Sequence, residues 1–232
     1  MTKNITISAN TANRLYWLGR YTERVYLELH LLRRYYDKMI DGAPEEYHEY
    51  YKKLEVDNPY PDDRSYRLGF LYDEKNPCSI LSGLKAANDN AILLRENIMS
   101  ETLSYIQMSL VMLNDNKQKE NDNITFMQSI TDWLLAFWGS AEERIYNERV
   151  RNFMKAGKLI EHIDIQVRFN YKYYRIREAF DALKACSKVE KGMFDMNLIE
   201  QLDELLTPEQ YAEMTPEYRS KLLKFINTLV LV

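Results

Sequence analysis

Near the start of the chain, Leu15, Leu18, Thr22, Val25, Leu29, Leu32, Tyr36 and Met39 step alternately by three and four. That spacing lines one stripe of an α-helix and is incompatible with a strand, whose side chains alternate with period two. The expected helix covers residues near 10–41, with Ser8 or Asn10 as its cap. Asp41-Gly42-Ala43-Pro44 ends it: Gly offers a left-handed C-cap, and Pro cannot continue the helix. So long a heptad-like seam is stable only against partner helices, which makes a helical bundle the first expectation.

The rest of the chain continues the pattern. Residues 43–77 are rich in Tyr, Asp, Glu and Pro and read as a connection with one short helix around Glu45–Leu54. A second long helix starts at Ser79 or Ser82 and runs to about Asn114, with Ala87, Ala91, Leu94, Ile98, Tyr105, Met108 and Met112 on one seam. Glu101 falls within that seam. After a polar turn over Asn114–Asn123, a third helix runs from about Thr125 to Asn147, burying Phe126, Ile130, Trp133 and Phe137. A fourth follows from about Glu148 to Ala185. Little punctuation separates the third from the fourth, so one kinked helix and two helices both fit. Further on, Asn197–Leu206 reads as a helix, and Thr207-Pro208 and Thr215-Pro216 are helix starts with a capping hydroxyl and Pro in the first turn. The apolar tail Leu229–Val232 is expected to dock on the body.

The expected fold is therefore all-α, a bundle of long antiparallel helices with a smaller C-terminal helical extension. It forms one domain over 1–232, with residues 8–42 and 78–187 as the main bundle, 43–77 as the connection and 188–232 as the extension. Seven Gly and six Pro in 232 residues agree with few loops and little sheet. A net charge of -4 gives no global case for binding nucleic acid or an anionic membrane. No apolar run approaches the roughly 20 residues of a membrane span. The first ten residues lack a signal-peptide core, and two cysteines, Cys78 and Cys186, are too few for a disulfide framework. A cytoplasmic protein is expected. The excess of Lys and Arg over Arg144–Arg177 reads most plainly as a solvated helix face, with an anion-binding face as the alternative.

Three charged clusters invite a chemical reading. Gly19-Arg20-Tyr21-Thr22-Glu23-Arg24 has a weaker copy in Gly157-Lys158-Leu159-Ile160-Glu161-His162. A long side chain on a helix lies back over the preceding turn, so Glu23 leans toward Gly19 and Glu161 toward Gly157. Gly in a helix interior costs about 1 kcal/mol relative to Ala. Either close approach of another helix or room for a ligand beside the Glu would offset that cost. The second cluster is Leu94-Arg95-Glu96-Asn97 with Glu101, whose carboxylate needs a partner such as Arg95, Arg24 or Arg144 if it is buried. The third, Glu142-Glu143-Arg144 with Glu148, reads as an exposed, self-paired face. In each cluster a structural salt bridge competes with a functional site. No metal and no cofactor are expected. The single Glu-x-x-His, Glu45 to His48, lies in the connection, and no phosphate-binding Gly loop or nucleophile elbow appears. Cys78 reads as an ordinary thiol and Cys186 as a helix-end residue.

Asn13-Arg14-Leu15-Tyr16-Trp17-Leu18-Gly19-Arg20-Tyr21-Thr22-Glu23-Arg24 resembles the opening signature of the bacterial alpha-E family. Leu94-Arg95-Glu96-Asn97 with Ser100-Glu101, and the segment Arg151–Arg168 around Gly157 and Glu161, are similar to its later segments in the same order. The resemblance spans roughly residues 8–175. It implies an all-helical domain with Glu-Arg motifs, associated with ATP-grasp ligases and transglutaminase-like peptidases. Carried over, the first Glu-Arg is Glu23-Arg24. The second stands here as Glu161-His162, a departure from the pattern. Residues 43–77 and a shortened C-terminal part also depart from it.

Three functions follow as expectations. The first is an accessory, non-catalytic partner of an ATP-grasp-type amide or peptide ligase, binding the ligase or its peptide substrate, with a transglutaminase-like protein as a further partner. The second is an enzyme in which Glu23, Arg24, Arg95, Glu96 and Glu161 converge in a cleft that takes a carboxylate or phosphate substrate, with Arg20, Glu101 and His162 completing the candidate functional cluster. The third is a scaffold, dimerising through the Tyr-rich connection and the apolar C-terminus.

Overall fold

The computed structural model describes residues 7–41 and 46–231, with the backbone alone for residues 39, 40, 46–48, 124 and 191. Its helices are α1 (Ala9–Ile40), α2 (Glu46–Leu54), α3 (Asp63–Tyr72), α4 (Ile80–Leu93), α5 (Arg95–Ile98), α6 (Ser100–Lys117), α7 (Ile124–Arg144), α8 (Glu148–Arg168), α9 (Tyr173–Val189), α10 (Met196–Leu205), α11 (Pro208–Ala212) and α12 (Pro216–Thr228). The fold is all-α, as the periodicities require. The chain divides into two compact units: Met1–Arg20 with Glu148–Val232, and Tyr21–Asn147.

Helix α1 starts at Ser8, whose hydroxyl accepts the Thr11 backbone N–H at 3.1 Å, so Ser8 and not Asn10 is the cap. Its seam is buried at Leu15, Leu18, Thr22, Val25, Leu29 and Leu32, while Tyr36 is half-buried. The Gly42–Pro44 stop and the Glu45 end of the Glu-x-x-His pair lie outside the described residues.

In the Tyr21–Asn147 unit, the Tyr-rich stretch contributes buried side chains to the core. It contains the expected short helix α2 and a second, α3, that the composition obscured. Asp62 caps α3 by accepting the Ser65 N–H at 2.8 Å. Tyr50, Tyr51, Tyr66 and Phe70 are all buried; Tyr50 meets Phe70 edge to face with centroids 4.9 Å apart, and Tyr66 stacks on Phe70. Such pairs add to the large apolar area that each ring removes from water. Burial drives the Tyr50 and Tyr66 phenols well above their usual pKa, since a phenolate there would be desolvated.

The expected second long helix is three. Ser79 caps α4 as anticipated, but the helix breaks at Leu94 and again at Met99, without Gly or Pro at either position. Met99 has φ 71° and ψ 148°, backbone space that essentially only Gly visits without strain. The break resets the helical phase. Ala87, Ala91, Leu94 and Ile98 are buried before it; Glu101 and Met108 are exposed after it, and Tyr105 and Met112 are half-buried. Glu101 is therefore not a seam residue. Helices α6 and α7 form an antiparallel hairpin. Thr102 and Ser140 share a buried hydrogen bond of 2.8 Å near one end, and Tyr105 packs on Trp133 further along.

Residues 145–147 are non-helical, so α7 and α8 are separate helices. The expected fourth helix is itself two, folded back at residues 169–172, where Asn170 adopts φ 51°. Asn tolerates that left-handed conformation better than most residues. Helix α8 packs on α9 and α12, and is buried around most of its circumference. Thr207 and Thr215 cap α11 and α12, with Pro208 and Pro216 in the first turns. The C-terminal tail docks through backbone hydrogen bonds from Asp195 to Leu229 and from Leu231 to Met193, and Leu229 is fully buried. Among the described residues no helix is long and apolar enough to cross a membrane.

The strain at Met99 is directly measurable. Relief of a disfavoured conformation is worth about 1–3 kcal/mol, and the added unfolded-state freedom of Gly opposes it by about 0.5–1 kcal/mol. Met99→Gly is expected to stabilise the protein by about 1 kcal/mol in urea unfolding, and Met99→Val to destabilise it.

Candidate functional site

The two Gly-containing motifs meet. A Cβ built on Gly19 would lie 2.1 Å from the Met154 carbonyl oxygen, and one on Gly157 would lie 2.0 Å from the Tyr16 carbonyl oxygen. Helices α1 and α8 thus cross backbone against backbone, each Gly facing a turn of the other. Of the two explanations for helix-interior Gly, close approach is the one realised. Gly69 and Gly83 also lack room for a Cβ, but there the obstacle is a side chain.

The crossing brings Arg20 onto Glu161. Arg20 Nε donates to Glu161 Oε2 at 2.7 Å, and both side chains are buried. Arg20 Nη1 reaches the Tyr16 hydroxyl at 3.4 Å, and its guanidinium carbon lies 5.3 Å from the Trp17 ring centroid. Burial raises the Tyr16 phenol pKa, and Arg20 offsets part of that rise. A short charge-assisted hydrogen bond in a dry setting is strong, but two ions had to be desolvated to make it. The pair fixes one register for α1 against α8.

The remaining candidates do not share that environment. Glu23 is buried, whereas Arg24 is half-buried and lies over the Tyr21 ring at 5.8 Å. Arg95, Glu96 and Glu101 are exposed. His162 is half-buried on α8. Glu142, Glu143, Arg144 and Glu148 are exposed, as a solvated face requires. Among the described residues no cluster of three or more His, Cys, Asp or Glu could hold a metal ion. Cys186 is a buried thiol pushed up to about 11 by desolvation, and its Sγ faces the Asn152 carbonyl at 3.7 Å. Of the eight candidates, Arg20 and Glu161 are brought together as an ion pair.

One feature of α8 gave no sequence signal. Three buried polar side chains follow one another on it: Glu161, Asp164 and Gln166. Glu161 is paired with Arg20. Asp164 accepts from Arg168 Nε at 2.7 Å and from Asn227 Nδ2 at 2.5 Å. Gln166 Oε1 is buried with no hydrogen-bond partner among the described residues, which costs about 1–3 kcal/mol. Gln166 lines a groove of about 560 Å³ between α8 and α9, together with Lys158, His162, Tyr174, Arg175 and Glu178. Much of the basic excess elsewhere is internally paired, Arg149 with Glu190 and Arg177 with Asp181 and Asp203. Periodicity placed these residues on helices, but only the fold-back at Asn170 brings the two helices together.

A family model for Alpha-E, described as a predicted alpha-helical domain with a conserved ER motif, matches residues 7–210. No curated protein and no solved structure matches the chain.

Helix propensity and packing make opposite predictions at the crossing. Gly→Ala inside a helix is worth about 1 kcal/mol of stabilisation where there is room, as at Gly139, which has nothing within 4 Å of a built Cβ. Gly139→Ala is expected to raise stability by about that amount. Gly19→Ala and Gly157→Ala should each lower it by about 2 kcal/mol or more, because backbone must move. For the ion pair, Arg20→Met or Glu161→Met alone should cost about 3–5 kcal/mol, since each strands a buried charge. The double substitution should cost far less than the sum. Urea unfolding of the four-protein cycle measures the coupling, and additivity would show that the pair is not coupled.

Proposed function

This chain belongs to the Alpha-E family, and from that premise we propose that it is an accessory helical partner of an ATP-grasp-type amide or peptide ligase system, binding the ligase or its peptide substrate. The observation that carries this reading is the surface formed by residues 92–101. Ile92, Leu93 and Met99 are 42%, 63% and 39% exposed, and Arg95, Glu96 and Glu101 project beside them in sequence. Large apolar side chains interspersed with charges, on a backbone strained at Met99, are what a protein-docking surface presents. The segment also contains one of the three stretches that carry the family resemblance, Leu94–Asn97 with Ser100 and Glu101.

The burial of Glu23 and Glu161 favours the same reading. Each is 1% exposed, and Glu161 is occupied by Arg20. A general acid or base must reach its substrate proton within hydrogen-bond distance, directly or through one water. The burial of both carboxylates supports the accessory reading over an enzyme with a Glu/Arg cleft. The Tyr-rich core likewise removes Tyr50, Tyr51 and Tyr66 from any dimer surface.

The test is an affinity capture from the source cell with wild-type protein beside the triple variant Arg95→Glu/Glu96→Arg/Glu101→Arg, whose exposed changes leave the core intact. An ATP-grasp-type or transglutaminase-like protein is expected with wild type and at least about tenfold depleted with the variant, a loss of about 1.4 kcal/mol. Equal capture by both would remove this surface as the docking site. Ligase turnover unaltered by added wild-type chain would remove the accessory role itself.

A further inference from the structure

The groove between α8 and α9 combines features that a solvated helix face has no reason to contain. Its volume of about 560 Å³ is within the roughly 300–1,000 Å³ range of small-molecule sites. Gln166 in its wall is only 4% exposed, and its amide oxygen lacks a hydrogen-bond donor. The two buried polar neighbours on the same helix, Glu161 and Asp164, are both satisfied by protein groups. A buried amide oxygen with no donor among the described residues, in the wall of a groove, can accept from a ligand.

The charges on the walls specify the rest. Lys158 and Arg175 are cations on the two facing helices, and His162 adds an imidazole. Arg175 Nε donates to the Tyr174 hydroxyl at 3.4 Å, and its guanidinium lies 5.8 Å from the Tyr171 ring centroid. A guanidinium can present two parallel N–H groups to a planar, bidentate acceptor. Glu178 in the same wall disfavours a ligand of high negative charge and accepts from a donor. A phosphate monoester, which carries about −1.5 to −2 charge at neutral pH, is disfavoured by the Glu178 carboxylate. A singly charged carboxylate with an adjacent N–H fits this set well.

We infer that the α8–α9 groove is a binding site for a small carboxylate carrying an amide N–H, the chemistry of an N-acylated amino acid or a peptide C-terminus. The carboxylate lies on Arg175, and the N–H donates to a Gln166 amide turned into the groove. The assignment rests on the groove alone, so it stands whether or not the chain serves a ligase. It gives the basic stretch of α8 and α9 a role beyond solvation.

The test uses the full chain and the imidazole NMR signal of His162, identified by its loss in His162→Asn. The probes are N-acetylglycine, acetate, N-acetylglycinamide and inorganic phosphate, at constant ionic strength. N-acetylglycine is expected to shift the signal saturably. Acetate, which lacks the N–H, and N-acetylglycinamide, which lacks the carboxylate, should each bind at least about tenfold more weakly. Arg175→Ala, an exposed change, should weaken N-acetylglycine about tenfold or more. Gln166→Met should do the same without lowering the melting temperature, because it removes an unsatisfied buried oxygen. The assignment is overturned if N-acetylglycine gives no saturable shift, if acetate or phosphate binds as well, or if Arg175→Ala binds as wild type. Should Gln166→Met fail to fold, Arg175→Ala still decides.

Discussion

Helices α1 and α8 touch through their backbones, and this contact is possible because neither Gly19 nor Gly157 has a Cβ. Ordinary helix pairs keep their axes 8–10 Å apart with side chains interleaved. Here the side chains at the crossing point are absent on both sides, and a peptide carbonyl of each helix faces the Gly of the other. The closeness decides where neighbouring residues fall. Arg20, next to Gly19, reaches Glu161, one turn beyond Gly157, with a single short hydrogen bond. The ion pair then penalises any slip of register, since a slipped pair would leave two buried charges uncompensated. Helix α8 is held by this contact on one side and packs on α9 and α12 elsewhere.

That arrangement separates architecture from display. In the Met1–Arg20 and Glu148–Val232 unit, Arg20 and Glu161 are interior and serve the crossing. In the Tyr21–Asn147 unit, Glu23 is interior too, but Arg95, Glu96 and Glu101 face solvent beside exposed apolar side chains. Residues of one motif family thus have different physical roles, and their chemistry follows burial more than identity. The groove between α8 and α9 adds a third setting, in which cations at a rim surround a buried amide without a donor.

Local rules were legible where they act over a few residues. Ser8, Ser79, Thr207 and Thr215 cap the helices that their patterns suggest, because a capping hydroxyl needs only the next turn. The α1 seam is buried as its periodicity demands. Asp62 is a cap of the same kind, but the surrounding Tyr, Pro and Asp residues made α3 look like a loop. Tyr is at home in loops and cores alike, and composition alone does not choose. The seam from Ala87 to Met112 failed for a different reason. It assumed helical continuity, and nothing in Met99 announces a backbone conformation that Gly would adopt more readily.

By itself, the sequence determined that the chain is helical, where most helices begin, and that Gly19 and Gly157 are costly enough to require a purpose. Those are properties of propensity, capping and periodicity, each fixed within a turn or two. The tertiary structure decided the purpose. It chose close approach over ligand space, and partnered Arg20 with a carboxylate 141 residues away. It exposed Glu101 by breaking a helix and folded α9 back on α8 to make a groove. Each outcome depends on which backbone lies across from a residue, and that is set by the summed packing of distant segments.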